Sequence, residues 1–407
     1  MNVLHVNYAD ALGARFNGAD LGKWLRSNGH HSTQIVQRKD YPGSTSIKLP
    51  FSSGRIGKAL LAKIQKLEAI TGLDNALSLQ SLFMLSMPQF WKADIVHYHI
   101  IHNHFFSYLS FPLLTALKPA VWTLHDPWAL AGHCIHPFEC MGWLSGCSPC
   151  PHLSYPFALK RDLAWLNFRL KEFIYNHSSL EIIVASHWMR HRVEKSPLLG
   201  GFPVHRIPFG LDLREFTPED TSKNRLRLGI RPDEIVVGLR VVPGPFKGLE
   251  YSIEALKALP PELNLHILTC QETGFLNSLS GRHRVTELGE LLSEREMISF
   301  FQTLDIHLMP SLAESFGMMA MEAAACGIPS IVFTGTPLEE ICFAPHGGIA
   351  VDKHDVGALA RSINALATNL DLRREMGKVA REHAVKYYDF QDYAKGTLAI
   401  YERILSH

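Results

Sequence analysis

The sequence predicts an α/β protein built as two Rossmann-like domains, each an open sheet with helices between its strands. Three observations predict it. At 407 residues the chain is longer than one hydrophobic core serves, so two domains of ~200 residues are expected. Short apolar runs that read as buried strands alternate with helical stretches along the whole length. The chain also opens as strand, helix, strand: Val3 to Asn7, Ala19 to Ser27 ending at Asn28-Gly29, then His31 to Val36.

Composition excludes several classes. The net charge is +1, which does not suit a general nucleic-acid binder. No 18-residue apolar run is present to span a membrane. The N-terminus, Met1-Asn2-Val3-Leu4-His5-Val6, lacks the basic segment and apolar core of a signal peptide. A cytoplasmic protein is expected. Seven cysteines are present, and four of them, Cys134, Cys140, Cys147 and Cys150, fall close together.

In chain order, the first strand leads into a loop carrying Gly13, Arg15, Asn17 and Gly18. Its glycines could bring backbone amides near an anion but do not make the dinucleotide fingerprint, and a plain strand–helix turn reads equally well. Residues 52–70 form a basic amphipathic helix in which Arg55, Lys58, Lys63 and Lys66 alternate with Leu60, Leu61, Ile64 and Leu67. A second basic-aromatic helix spans roughly Leu159 to Tyr175, with Lys160, Arg161, Arg169 and Lys171 beside Trp165, Phe168 and Phe173. Such helices rest on anionic lipid headgroups or lay their apolar faces on the core.

Asp94 to His99 is a strand ending in histidines, and Ala120 to Asp126 is a strand ending in His125-Asp126. In open α/β sheets ligands sit at the carboxyl ends of the strands, which makes His99 and His125 site candidates. The four cysteines follow, with Cys-x5-Cys and Cys-x2-Cys spacings in a loop rich in Gly, Pro and Trp. A Cys-x2-Cys turn supplies two of the four soft ligands of a structural zinc, which is the first reading here; His133 and His136 are spare ligands. A cluster of reduced thiols, or disulfides formed in air, also fits the spacing. Glu181 to Met189 enters another helix, and Val204 to Asp212 reads as the last strand of the first domain and a hinge.

The second domain starts with the strand Ile235 to Arg240 and a loop to Lys247-Gly248. Strands at Leu263–Leu268, Val285–Gly289, Asp305–Met309 and Ser330–Phe333 follow, with final helices over Asp355–Thr368 and Leu372–Lys386. After Met309 comes Pro310-Ser311-Leu312-Ala313-Glu314-Ser315-Phe316-Gly317, then a helix from Met318 to Cys326 ended by Gly327 and Pro329. Ser315 reads as its cap. Glu322 lies eight residues after Glu314, about two turns along at ~3.6 residues per turn.

The string Pro-Ser-x-x-Glu-Ser-Phe-Gly with Glu322-Ala323-Ala324-Ala325-Cys326-Gly327-Ile328-Pro329 closely resembles the signature of family 4 glycosyltransferases, which are retaining enzymes of the GT-B fold. The Asp94-x-x-His-x-His99 strand, the Thr123-Leu-His125-Asp126 strand and Ile207-Pro208-Phe209-Gly210-Leu211-Asp212, with Phe209 where Asn is usual, extend the resemblance over the chain. The cysteines after Thr123 are most similar to those of bacterial exopolysaccharide and colanic-acid-type members.

The resemblance implies two domains facing each other across a cleft: an acceptor-side domain of residues 1–207, onto which 387–407 crosses back, and a nucleotide-sugar domain of 208–386. It implies sugar transfer from a UDP- or GDP-sugar to a hydroxyl of a glycan or lipid-linked glycan; the basic helices above would allow peripheral contact with the cytoplasmic membrane face. His99, His125 and Glu314 take the catalytic places, with Glu314 on the sugar hydroxyls. Arg240, Lys247, Leu288, Ser315, Phe316, Gly317, Met318 and Glu322 take the donor-binding places, with Glu322 on the ribose and the Leu288 backbone near the base. Gly13, Arg15 and Asn17 fall in the acceptor-side loop. No Asp-x-Asp occurs, so no catalytic metal is expected. A nucleotide-sugar epimerase or phosphorylase, and a catalytically silent nucleotide-sugar or glycan-binding partner, share this architecture.

Overall fold

The structure is a computed structural model that describes residues 1–10, 16–40, 43–50, 54–154 and 159–406. It separates into two compact units, Met1–Phe209 with Tyr393–His407, and Gly210–Asp392. Gly13, Arg15, residues 52–53 and the side chain of Lys58 lie outside what is described.

The first unit holds seven strands: β1 (Asn2–Ala9), β2 (His31–Arg38), β3 (Ile47–Lys48), β4 (Ile95–Tyr98), β5 (Ala120–Thr123), β6 (Glu181–Val184) and β7 (Val204–Arg206). Their order is β3-β2-β1-β4-β5-β6-β7. All neighbours are parallel, and β1 meets β4 with His5 opposite His97. Parallel strands need both faces covered. The helices α1 (Ala19–Ser27), α2 (Arg55–Thr71), α3 (Pro88–Lys92), α4 (Phe111–Leu117), α5 (Ala164–Asn176) and α6 (His187–Lys195) lie between them in sequence. The core is markedly aromatic, built around Tyr98, Phe106, Phe111, Trp122, Trp128 and Tyr175.

The second unit holds β8 (Ile235–Val241), β9 (Leu265–Gln271), β10 (Arg284–Glu287), β11 (Ile306–Met309), β12 (Ser330–Phe333) and β13 (Gly348–Val351), ordered β10-β9-β8-β11-β12-β13 and again parallel. Its core is aliphatic, with Val237, Leu239, Ile267, Leu308 and Ile331 at the centre. Its helices are α7 (Ser222–Arg227), α8 (Leu249–Lys257), α9 (Glu294–Thr303), α10 (Met318–Ala325), α11 (Leu338–Ile341), α12 (Val356–Thr368) and α13 (Leu370–Tyr387). The last helix, α14 (Phe390–Leu405), joins the first unit from Tyr393 onward. There Tyr401 hydrogen-bonds His97, and Arg403 pairs with Glu181.

In each sheet the connection reverses direction once, between β1 and β4 and between β8 and β11. The carboxyl ends beside that reversal are where an open α/β sheet leaves room for a ligand. His99 follows β4 directly, Arg240 sits at the end of β8, and the Glu314 turn follows β11.

Two expectations are corrected. Ser315 does not cap α10: the cap position is Gly317, left-handed at φ 106° with no side-chain cap. A Cβ on Gly317 would also stand 2.3 Å from Leu338 Cδ2, so the cap position requires glycine. Lys171 is not a surface charge. Helix α5 starts at Ala164, and Lys171 points inward, fully buried, giving protons to the carbonyls of Trp128 and Ala131 at 2.8 Å each. Its ammonium lies 3.7 Å from the centre of the Trp128 ring. Burial pushes its pKa down to about 8 despite the nearby Asp74. The Trp128 indole in turn donates to Asp74 at 2.7 Å. Trp165 and Phe173 of α5 are exposed, as are Leu60, Leu67 and Ile70 of α2. Among the described residues no helix is long and apolar enough to cross a membrane.

Candidate functional site

In the second unit two loops distant in sequence are joined backbone to backbone. The carbonyl of Phe246 accepts from Leu312 N at 2.9 Å and Ala313 N at 3.3 Å. Gly248 at φ 65° packs against Pro310, and a Cβ there would come within 2.0 Å of the Pro310 carbonyl. This contact sets Lys247 against Glu314, whose Nζ and Oε1 are 2.5 Å apart. Both side chains keep some exposure, 27% and 12%, so the ion pair faces solvent that a ligand could replace.

Arg240 is exposed beside them, held by Nη2 donating to Gln271 Oε1 at 3.1 Å. Gln271 closes β9 in a left-handed conformation, φ 87°. A non-glycine residue there costs free energy and often marks function. Sequence reading passed over it, because a glutamine at a strand end carries no motif.

Glu322 is buried in α10, and Phe316 packs edge-on to Tyr388 with ring centres 6.0 Å apart. Arg381 fastens the end of α10 by donating to the carbonyls of Phe216, Ala325 and Leu213 at 2.5, 2.6 and 3.0 Å. Gly317 and Met318 place the first amides of α10, with the positive end of its dipole, beside the Glu314 turn. Leu288 follows β10, and its N–H is given to Thr269 O at 2.9 Å. The structure thus gathers Arg240, Lys247, Glu314, Ser315, Gly317 and Met318 at adjoining strand ends, with Glu322 one helix turn inward and Leu288 farther along the sheet edge.

In the first unit, His99 and His125 belong to a larger set. His5, His97 and His99 share one face of β1 and β4, and all three are buried. His5 Nδ1 meets His99 Nε2 at 3.0 Å, and His99 Nδ1 meets His125 Nε2 at 3.3 Å. His97 is engaged by Thr123 Oγ1 at 2.7 Å and by the Tyr401 hydroxyl. Burial first, and then the neighbouring imidazoles, hold His97 and His99 well below the ordinary histidine range. Burial takes His5 to about 3 and His125 to about 4.

Phe209, where the resembling family carries Asn, stacks flat on His125 at an angle of 8°. Asp126 pairs with His102 at 2.6 Å and caps the next turn through Trp128 N at 2.9 Å. Burial pulls His102 down, but Asp126 more than offsets it, so the net shift is upward. Asn17 donates to Ala9 O at 3.0 Å and accepts from Ala19 N at 3.1 Å, anchoring the loop to α1. His5 was missed in the sequence because it looks like an ordinary strand residue.

The four cysteines line one small pocket with His133 and Trp143. Gly132 N donates to Cys147 Sγ and Gly142 N to Cys140 Sγ, both at 3.3 Å, and His133 Nε2 lies 3.3 Å from Cys150 Sγ. All four are free thiols. Burial pushes Cys134 up to about 12 and Cys147 up to about 11. Among the described residues, the set of three ligand atoms lying within 4.8 Å of one another is His5, His97 and His99, and the cysteines do not form such a set.

Comparisons with known proteins bear on the family and the fold. Residues 19–215 match the family model for Glycosyltransferase Family 4, and residues 223–383 that for Glycosyl transferases group 1. The chain belongs to these glycosyltransferases. It is 31% identical over 216 residues to a D-inositol 3-phosphate glycosyltransferase of Paenarthrobacter aurescens, a match covering 49% of this chain and 51% of that protein. The chain thus spans about half the length of that relative. Among solved structures, sucrose-phosphate synthase of Thermosynechococcus elongatus superposes with TM-score 0.69 at 16% identity, covering 100% of this chain and 98% of that one. Anabaena Alr3699/HepE, solved with UDP and glucose, superposes with TM-score 0.67 at 17% identity over 99% and 100% of the two chains. These likenesses establish the GT-B fold.

Proposed function

We propose that the protein transfers a sugar from a UDP- or GDP-sugar to a hydroxyl of a glycan or lipid-linked glycan, with retention of configuration, in bacterial exopolysaccharide or other cell-surface glycan synthesis. The observation that carries this reading is the Lys247–Glu314 pair at the reversal point of the second sheet, with Arg240 beside it. As the sugar–phosphate bond breaks, the ring becomes positive and the diphosphate gains negative charge. Arg240 and Lys247, with the amides at Gly317 and Met318, stabilise that charge. No catalytic metal is required in this scheme.

Glu314 holds the sugar hydroxyls, Glu322 the ribose, and the departing phosphate oxygen takes the acceptor's proton on the same face. His99 and His125 serve the acceptor and leaving-group side. HepE was solved with UDP and glucose, so UDP-glucose heads the panel of donors to be tested. A donor at 100 times its Kd is expected to raise the unfolding free energy by about 2.7 kcal/mol. If no UDP- or GDP-sugar shifts the melting temperature, the donor reading fails. An epimerase would instead turn over donor with no acceptor present.

We also propose that the cysteine box takes a structural zinc. The donor set is chemically right, and the two backbone N–H groups aimed at sulfur stabilise thiolates. Binding would draw the sulfurs inward to ~2.3 Å from the metal. Anaerobically purified protein is expected to carry close to one zinc; less than about half an equivalent counts against the site.

The lysines at 63 and 66 stand beside exposed Leu60, Leu67 and Ile70 on α2. That helix end is tied to α5 by Asn167 Nδ2 donating to Gly72 O at 2.8 Å. We propose that the two helices touch anionic lipid. Co-sedimentation with phosphatidylserine vesicles, lost in Lys63→Glu/Lys66→Glu, is the expected result; equal recovery with neutral vesicles would argue against it.

A further inference from the structure

We infer that Gln271 is a positioning residue that holds the Arg240 guanidinium ready for the donor diphosphate without neutralising it. This rests on the reading that Arg240 meets that diphosphate.

Gln271 is the last residue of β9 and lies opposite Val241, while Arg240 lies opposite Cys270. Side chains of a strand alternate between faces, so regular geometry would turn Gln271 to the face of Val241 and away from Arg240. With φ at 87° it leaves that alternation, and its amide oxygen stands 3.1 Å from Arg240 Nη2. The backbone is fixed on both sides of this turn. Gln271 N–H is given to Gly289 O at 2.7 Å, and Glu272 N–H to Val241 O at 3.2 Å.

Glycine would fill a left-handed position without strain. A glutamine there costs free energy that only its side chain can offset, and that side chain reaches Arg240. Arginine donates and never accepts, so the amide oxygen is the atom that faces it. One guanidinium N–H is thereby held, and the others stay available to phosphate oxygens.

Two consequences follow for the donor. Arg240 is exposed, and an untethered side chain of that length would have to be ordered each time a ligand bound. The tether is also uncharged. Lys247 faces the carboxylate of Glu314 at 2.5 Å, which compensates its charge before a donor arrives. Gln271 fixes Arg240 through an amide and adds no such competitor, so the positive charge is both placed and kept for the diphosphate.

The test is isothermal titration of UDP and GDP into the unmodified protein, Gln271→Gly, Arg240→Ala and the double variant. Gln271→Gly keeps the left-handed backbone and removes the tether. It is expected to bind nucleotide about 3–10-fold more weakly, the cost of ordering one long side chain on binding, with no fall in melting temperature. In the Arg240→Ala background the same change is expected to cost nothing more, because a group that acts through another is not additive with it. Gln271→Glu keeps the tether but sets a carboxylate on Arg240, and is expected to weaken nucleotide binding several-fold. In the free protein, 15N relaxation at Arg240 Nε should report an ordered side chain that Gln271→Gly loosens.

The proposal is overturned by full-strength binding to Gln271→Gly, or by an equal loss when the Arg240 side chain is already removed. It is also overturned by undiminished binding to Gln271→Glu, or by a mobile Arg240 in the unmodified protein. A clearly lowered melting temperature in Gln271→Gly would make Gln271 a structural brace instead. Failure of the donor reading shows differently: Arg240→Ala then binds nucleotide unimpaired whatever stands at position 271, and the proposal falls with it.

Discussion

Lys247→Ala is expected to lower kcat/KM for the nucleotide-sugar about 10²–10³-fold, the usual cost of removing one preorganised group from a developing oxyanion. Lys247 stands at the loop joint where Phe246 O is shared by Leu312 and Ala313, so the loss is local and the fold is retained. The partner substitution has a less obvious sign. Without donor, Lys247 is neutralised by Glu314 at 2.5 Å. Glu314→Gln removes that competing charge, so free nucleoside diphosphate should bind several-fold tighter while sugar transfer falls. Isothermal titration with UDP and GDP, set beside steady-state rates, separates the two effects. Near-normal transfer by both Lys247→Ala and Glu322→Ala would remove the site assignment altogether.

Lowering the pH from 7 towards 5 is expected to destabilise the protein steeply. His5, His97 and His99 are buried and neutral in the fold, with His5 at about 3 and the other two displaced in the same direction by burial. A histidine whose folded pKa lies below its unfolded value costs nothing above about 6.5, and below that the unfolded chain alone takes up the proton. Each such residue that stays neutral removes ~1.4 kcal/mol per pH unit, so His5 alone removes ~2 kcal/mol by pH 5, and His97 and His99 act in the same direction. That is a substantial part of the stability of a typical domain.

His102 acts the other way: its folded value is raised, so its contribution is complete below the unfolded pKa and is lost as pH rises through the folded one. Thermal unfolding monitored by near-UV circular dichroism checks the prediction. A melting temperature that stays level between pH 7 and pH 5 would contradict it, and His5→Phe should reduce the slope by about one proton.

The parts of the second unit that were legible share one property: their signal is local. Arg240 and Lys247 flank a strand–loop junction, and Glu314 to Pro329 is one continuous turn and helix. A short apolar run next to a glycine and a charge specifies a strand end whatever lies elsewhere. The Ser315 cap was misplaced because a serine before a helix-forming run has the composition of a cap. Only the structure shows that the cap position falls two residues later, on the left-handed Gly317 packed against Leu338. Lys171 was misread for a related reason. A lysine among aromatics at helical spacing looks solvated until the Trp128 and Ala131 carbonyls arrive to receive its protons.

By itself, then, the sequence determined two α/β domains, the strand-end positions of His99 and His125, and the cations and glutamates suited to a nucleotide-sugar. Those follow from periodicity, turn residues and a contiguous motif, all read within a few residues. Only the tertiary structure decided which distant groups meet: Lys247 with Glu314, Arg240 with Gln271, and His5 with His99 across the β1–β4 pairing. The register of parallel strands is set by chain segments tens of residues apart, and a hydrogen bond between imidazoles depends on that register to a fraction of an ångström. Local propensity carries no information at that range, so the strand-end charges of the second unit could be read from the chain while the histidine contacts of the first unit could not.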